Sequence, residues 1–201
     1  FAMDTYMTVT AYGKGATEAV DQAADEISRL DQLLSTGNED SEIYKINQSG
    51  DGILSEETAY LVERSLDLYE ATDGAFDIAI YPVMKAWGFT DDNFRVPGAD
   101  ELKDLLTLTD ASDISYDKET SQIAFKKDGM QIDFGGIAKG YTSARIMDIF
   151  RACGIKSGLV NLGGNVQALG TKKDGSSWRV AVQDPQDTDQ YLRVLSIQDK
   201  A

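Results

Sequence analysis

The 201-residue sequence predicts an α+β fold, and three observations carry that prediction. An alternating stretch near the N-terminus runs into a long amphipathic helix. The middle of the chain is mostly helical around one short hairpin. The last third reads as strands joined by glycine and Asp-Pro turns, so the strands pair antiparallel instead of through helical crossovers. The length suits one sizeable core or two small intertwined lobes, and the sequence has neither repeats nor a low-complexity linker. We therefore treat residues 1–201 as a single domain.

Thr5 to Tyr12 alternates polar and apolar residues as a strand does, and Thr17 to Leu34 sets Val20, Ala23, Ala24, Ile27, Leu30 and Leu34 on one helical face. After a turn at Ser35–Ser41, Glu42 to Asn47 forms a short helix. Another helix begins after Ser55 as N-cap, carries Leu61, Val62, Leu66 and Tyr69 inward, and stops at Asp73-Gly74. The stretch Ala75-Phe-Asp-Ile-Ala-Ile-Tyr-Pro82 is apolar, ends at a proline and leads to Trp87-Gly-Phe89. Residues 91–97 turn polar and mark a loop before a short helix over Ala99 to Leu106. Ile114 to Tyr116 and Gln122 to Phe125 flank Asp117-Lys-Glu-Thr120 as a hairpin, and a third strand carries Asp133. A helix from about Lys139 buries Ile146, Ile149 and Phe150 and ends at Gly154. Gly158 to Gly170, Trp178 to Gln183 and Tyr191 to Ile197 supply the remaining strands.

The most informative stretch is Gln131-Ile-Asp-Phe-Gly-Gly-Ile-Ala-Lys-Gly-Tyr141. Glycines between a strand and a helix let backbone approach a ligand, and the helix start offers unpaired N–H groups to a phosphate. Lys139 suits a diphosphate and Asp133 suits ribose hydroxyls or ring N–H groups. The alternative is a plain strand–turn–helix with a surface lysine and a capping aspartate. The spacing matches neither the dinucleotide fingerprint nor the P-loop.

A net charge of −15 opposes any sequence-independent grip on nucleic acid or anionic membrane. An anionic ligand then needs local cations, helix ends or a metal ion. The single cysteine, Cys153, rules out an internal disulfide and reads as a buried structural thiol. With no histidine in these residues, a Ser-His-Asp triad, a Cys-His pair and histidine-ligated zinc are excluded within them. No apolar run approaches the roughly 20 residues that span a bilayer, and Phe1-Ala-Met-Asp lacks a leader pattern, which fits either a cytosolic chain or a processed extracytoplasmic one.

Phe1-Ala-Met-Asp-Thr5, Asp40-Ser-Glu-Ile-Tyr-Lys-Ile-Asn47, Thr72-Asp-Gly-Ala-Phe-Asp77, Trp87-Gly-Phe89, Asp133-Phe-Gly-Gly-Ile-Ala-Lys-Gly-Tyr141 and Asn161-Leu-Gly-Gly-Asn165 occur in the order seen in the ApbE-like family, and the chain resembles that family along essentially its whole length. The resemblance implies an ApbE-like (T-fold-like) architecture of mostly antiparallel strands and amphipathic helices. It implies an FAD:protein FMN transferase that, with Mg2+, splits FAD, releases AMP and attaches FMN to a threonine or serine of an acceptor protein. A non-catalytic FAD-binding module or inactive fragment is the alternative. Among residues, the resemblance sets Met3 against the flavin and Ala75, Phe76 and Asp77 along the nucleotide pocket. Asp133 and Lys139 become the catalytic, FAD-contacting acid and cation, and the Gly136 carbonyl a magnesium ligand. It also implies an extracytoplasmic, lipid-anchored membrane location.

Three departures qualify the match. Gly37 stands where the family commonly has an aromatic, and Ala144 where it has an aspartate in the helix after the signature. The sequence also lacks the family's later Thr-Ser-Gly and His-Ile-Ile-Asp-Pro motifs, so a C-terminally truncated domain is expected, with Tyr191 to Ile197 as an edge for self-association or for pairing with the missing part.

Overall fold

The computed structural model describes residues 1–201. In chain order the elements are β1 (Met7–Tyr12), α1 (Ala16–Leu34), α2 (Glu42–Ser49), β2 (Asp51–Ile53), α3 (Glu56–Ala71), α4 (Tyr81–Trp87), α5 (Ala99–Leu106), β3 (Ile114–Asp117), β4 (Gln122–Phe125), α6 (Ala138–Ala152), β5 (Ser157–Leu162), β6 (Asn165–Gly170), β7 (Trp178–Gln183) and β8 (Tyr191–Ile197). Short 3-10 turns occupy Ile78–Ile80 and Ala111–Asp113. Every strand pair is antiparallel, in keeping with the α+β expectation. The chain divides into two compact units, one built from residues 1–31 and 139–201 and the other from residues 32–138.

In the first unit β5 lies between β1 and β6, with Met7 opposite Leu162 and Thr10 opposite Leu159. Ala19, Ala23 and Ile27 of α1, Ile146, Met147 and Phe150 of α6, and Val160 and Leu162 of β5 form its core. The buried stripe of α1 is Ala19, Ala23, Ile27, Leu30 and Leu34, which includes four of the six expected positions, while Val20 is half-buried and Ala24 is exposed. Gly158 is required where Phe150 crosses the sheet, since a Cβ there would lie 2.6 Å from the ring. Cys153 is half-buried, with its thiol 3.7 Å from Gln22 Oε1, rather than fully enclosed. Strands β7 and β8 make a separate ribbon anchored by Trp178, which stacks on Tyr12 at 6.1 Å. Tyr191, Leu192, Val194 and Leu195 of this ribbon are exposed.

In the second unit β4 lies between β2 and β3, and helices α2 and α3 bury Ile43, Ile46, Leu61 and Val62. Ser41 caps α2 by accepting from the Tyr44 N–H at 2.9 Å, and Gly50 ends it at φ 80°. Ser55 occupies the predicted N-cap of α3, but its side chain donates to Glu42 Oε2 at 2.7 Å and leaves the helix end uncapped.

Two expectations are corrected here. Residues 75–82 do not end at the proline: a 3-10 turn leads directly into α4, with Pro82 in its first turn, where no N–H is missed. The segment before the Gly-Gly corner is extended but pairs with no strand, because the side chain of Asn47 replaces one. Its Nδ2 donates to the Ile132 carbonyl at 2.8 Å, and its Oδ1 accepts the Ile132 N–H at 2.7 Å.

Candidate functional site

In the second unit the corner at 133–137 is shaped by backbone economy. The Asp133 N–H donates to the Ile78 carbonyl at 2.9 Å, which ties the corner to the 3-10 turn after Asp77. Asp133 Oδ1 accepts the Gly135 N–H at 2.7 Å, an Asx turn that reverses the chain. The N–H groups of Ile137 and Ala138 then donate to the Phe134 carbonyl and start the helix. Phe134 and Ile132 are buried and Gly135 and Gly136 are exposed, so the hydrophobic residues anchor the corner while the glycines present backbone. A Cβ on Gly136 would lie 3.0 Å from the edge of the Phe76 ring, so that ring rests against bare backbone.

The Ala75–Asp77 segment meets this corner. Ala75 is exposed and Phe76 and Asp77 are half-buried. The Phe76 N–H donates to Thr72 Oγ1 at 3.0 Å, which holds the segment onto the end of α3. Asp77 Oδ1 accepts the Ala79 N–H at 2.7 Å, and its Oδ2 accepts the Ala111 N–H at 3.1 Å. Burial pushes its carboxyl above the ordinary range, and the two N–H bonds oppose that push. Each oxygen retains acceptor capacity for a ligand. Five predicted residues, Ala75, Phe76, Asp77, Asp133 and Gly136, are thus brought together in one unit.

Met3 and Lys139 belong to the other unit. Met3 (φ 47°) and Asp4 (φ 55°) occupy the centre of a tight turn closed by mutual bonds between Ala2 and Thr5. The Met3 N–H donates to Asp31 Oδ1 at 3.0 Å, and its sulfur lies 3.9 Å from the Thr142 hydroxyl, which places the side chain against the second turn of α6. The Lys139 carbonyl accepts from Asn165 Nδ2 at 3.3 Å, and the same amide reaches the Ser143 hydroxyl at 3.1 Å.

Two contributors stand in the sequence only as parts of family motifs, with no site role expected of them. Asn47 splints the corner through Ile132, and the Asn161–Asn165 hairpin buttresses α6. Gly163 (φ 61°) and Gly164 (φ 94°) make its turn, Asn161 Oδ1 accepts the Gly164 N–H at 2.8 Å, and a Cβ on Gly163 would collide with Thr5. Two asparagines bracketing a Gly-Gly pair were the available signal. At the departures, Gly37 has open space around it and Ala144 is exposed. No group of three or more Asp, Glu, His or Cys side chains is placed to hold a metal ion.

Solved structures define the class of protein. The crystal structure of the ApbE protein of Thermotoga maritima superposes with a TM-score of 0.91 at 28% identity, covering 100% of this chain and 66% of that one. The apo flavinyl transferase ApbE of Pseudomonas stutzeri matches with a TM-score of 0.83 at 27% identity, over 98% of this chain and 64% of that one. The chain belongs to the ApbE family, whose model matches residues 3–201. Curated relatives named FAD:protein FMN transferase include those of Treponema pallidum, 32% identical over 97% of this chain, and Escherichia coli K12, 27% identical over 90%. The chain spans 60% and 54% of their respective lengths.

Proposed function

We propose that this chain is the greater part of an FAD:protein FMN transferase, with FAD as substrate and a protein threonine or serine as acceptor. The observation that carries the reading is the meeting of the Ala75–Asp77 segment with the glycine corner, Phe76 against Gly136 and Asp133 bonded to Ile78. That arrangement gathers an aromatic ring, two carboxylates and exposed glycine backbone, the mixture a flavin nucleotide needs.

In the reaction the acceptor hydroxyl oxygen forms a bond to the FMN-side phosphorus. The P–O bond to AMP breaks, AMP departs with the bridging oxygen, and the hydroxyl proton is released to solvent. Catalysis of this type depends on positioning and charge neutralisation. Lys139, at the start of α6, supplies positive charge for the diphosphate, and Asp133 and Asp77 accept hydrogen bonds from the nucleotide. Met3 packs against the flavin ring. A magnesium ion would neutralise diphosphate charge. Residues 1–201 do not offer it a full ligand set, the Gly136 carbonyl being the one proposed ligand, so the chemistry of this stretch is assigned to its own residues.

AMP release, measured by chromatography with FAD, magnesium and an acceptor, tests the proposal. AMP should appear only with acceptor present and disappear with chelator. FAD binding without AMP release would leave a flavin-binding module instead.

The resemblance further supports an extracytoplasmic, lipid-tethered location. No helix is long and apolar enough to cross a membrane. Radiolabelled palmitate incorporation in the native host would support a lipid tether, and its absence would remove it. The exposed face of the β7–β8 ribbon is the proposed surface for self-association or for pairing with further chain, and sedimentation before and after charge substitution at Leu192 and Val194 tests it.

A further inference from the structure

Tyr69 and Asp110 have no part in the proposed reaction, yet they stand one bond behind Asp77. The Tyr69 hydroxyl donates to Asp110 Oδ1 at 2.8 Å, and that same oxygen accepts the Ser112 N–H at 3.0 Å. Asp110 thereby caps the 3-10 turn Ala111–Asp113, whose first residue gives its N–H to Asp77 Oδ2. Tyr69 lies in the last turns of α3, immediately before the segment that ends in Asp77. A Cβ on Gly74 would meet its ring at 3.5 Å, so the ring is packed against that segment as well.

The bonds close a ring. From α3 the chain runs through Thr72-Asp-Gly-Ala-Phe-Asp77, and the 110–112 turn spans that run, held by Tyr69 at one end and holding Asp77 at the other. Ala111 is buried, so its N–H has no water to turn to if the turn shifts. The Ser112 and Tyr69 bonds keep the Asp110 carboxyl below its ordinary range and therefore ionised, the state that accepts both.

We propose that Tyr69 and Asp110 are positioning residues for Asp77, fixing through the Ala111 N–H the direction in which the Asp77 carboxylate faces the bound nucleotide. This rests on the flavin reading of the 75–77 segment. Asp110→Ala and Tyr69→Phe break the chain of bonds at different links, whereas Asp110→Asn keeps an acceptor oxygen for both partners.

Two readouts are needed, FAD affinity by flavin fluorescence and amide hydrogen exchange at Ala111 in the ligand-free protein. Asp110→Ala and Tyr69→Phe should each weaken FAD binding by about tenfold, the scale of one lost hydrogen bond. Ala111 exchange should quicken in both, and Asp110→Asn should restore both properties. FAD affinity within twofold of wild type in both variants, or Ala111 exchange unchanged, overturns the positioning role. Failure of the unmodified protein to bind FAD overturns the flavin reading, while Ala111 exchange still decides whether Tyr69 and Asp110 hold Asp77.

Discussion

Asp133 does two jobs that one substitution separates. Its Oδ1 accepts the Gly135 N–H and turns the chain, and its charge is the part we propose for the nucleotide. Asparagine keeps the acceptor and drops the charge, so Asp133→Asn should stay within about 1 kcal/mol of wild-type stability while FMN transfer falls about 100-fold. Denaturant unfolding beside an initial-rate assay reads both, and an equal loss in the two would assign Asp133 to the turn alone. Gly136 makes a steric counterpart: Gly136→Ala puts a methyl 3.0 Å from the Phe76 ring, and FAD affinity should drop roughly threefold as the ring gives way, at a stability cost below about 1 kcal/mol. Isothermal titration with FAD checks that expectation. The identities of these residues were legible in the sequence, because glycines beside an acid and a lysine announce close backbone approach. Their bonding was not, since Asp133 is anchored by Ile78, 55 positions earlier, and no local pattern reports a contact at that separation.

At the scale of elements, hydrophobic period and turn chemistry located most helices and strands, but not the short strand β2 or helix α4. Residues 131–134 have the composition of a strand yet find their partner in the Asn47 side chain, a tertiary substitution that propensity does not register. Residues 75–82 read as an extended run stopped by a proline, whereas Asp77 caps a 3-10 turn and Pro82 opens a helix. Asn47→Ala would strip two buried partners from Ile132 and should cost about 2–4 kcal/mol. Equilibrium unfolding measures it, and a loss under 0.5 kcal/mol would mean that the splint is dispensable.

Helices α1 and α6 offer a second element-level test. Glu26, 12% exposed at its side chain, pairs with Arg29 at 2.8 Å and with Arg145 of α6 at 3.3 Å. The Arg29 bond, set against burial and aided by Arg145, holds its carboxyl below the ordinary 4.5. The folded state therefore binds this proton less readily than the unfolded chain does. Its contribution is present above pH 4.5 and is lost as pH falls through the folded value. Glu26→Gln should lose about 1 kcal/mol at pH 7, with the difference from wild type closing under acid. A difference that persists unchanged at low pH would show that packing, not charge, joins the pair.

For the molecule as a whole, a net charge of −15 bears on the proposed function, because an acidic chain repels an anionic dinucleotide unless local cations offset it. On the proposed reading, Lys139 supplies the local positive charge, and Asp77 and Asp133 take hydrogen-bonding roles. The two-unit division explains why the sequence motifs are scattered: Met3, Lys139 and the Asn161–Asn165 hairpin belong to one unit, and Ala75–Asp77 with Asp133 and Gly136 to the other. Which motif falls in which unit was not legible in the sequence, because it depends on residues 139–201 returning to residues 1–31 so that β1 pairs with β5. The most direct test of the proposed activity is the intact mass of a purified acceptor domain after incubation with the chain, FAD and magnesium. A gain equal to one FMN, lost when Lys139→Ala replaces the wild type, is the predicted result; an acceptor of unchanged mass, with FAD left intact, would contradict it.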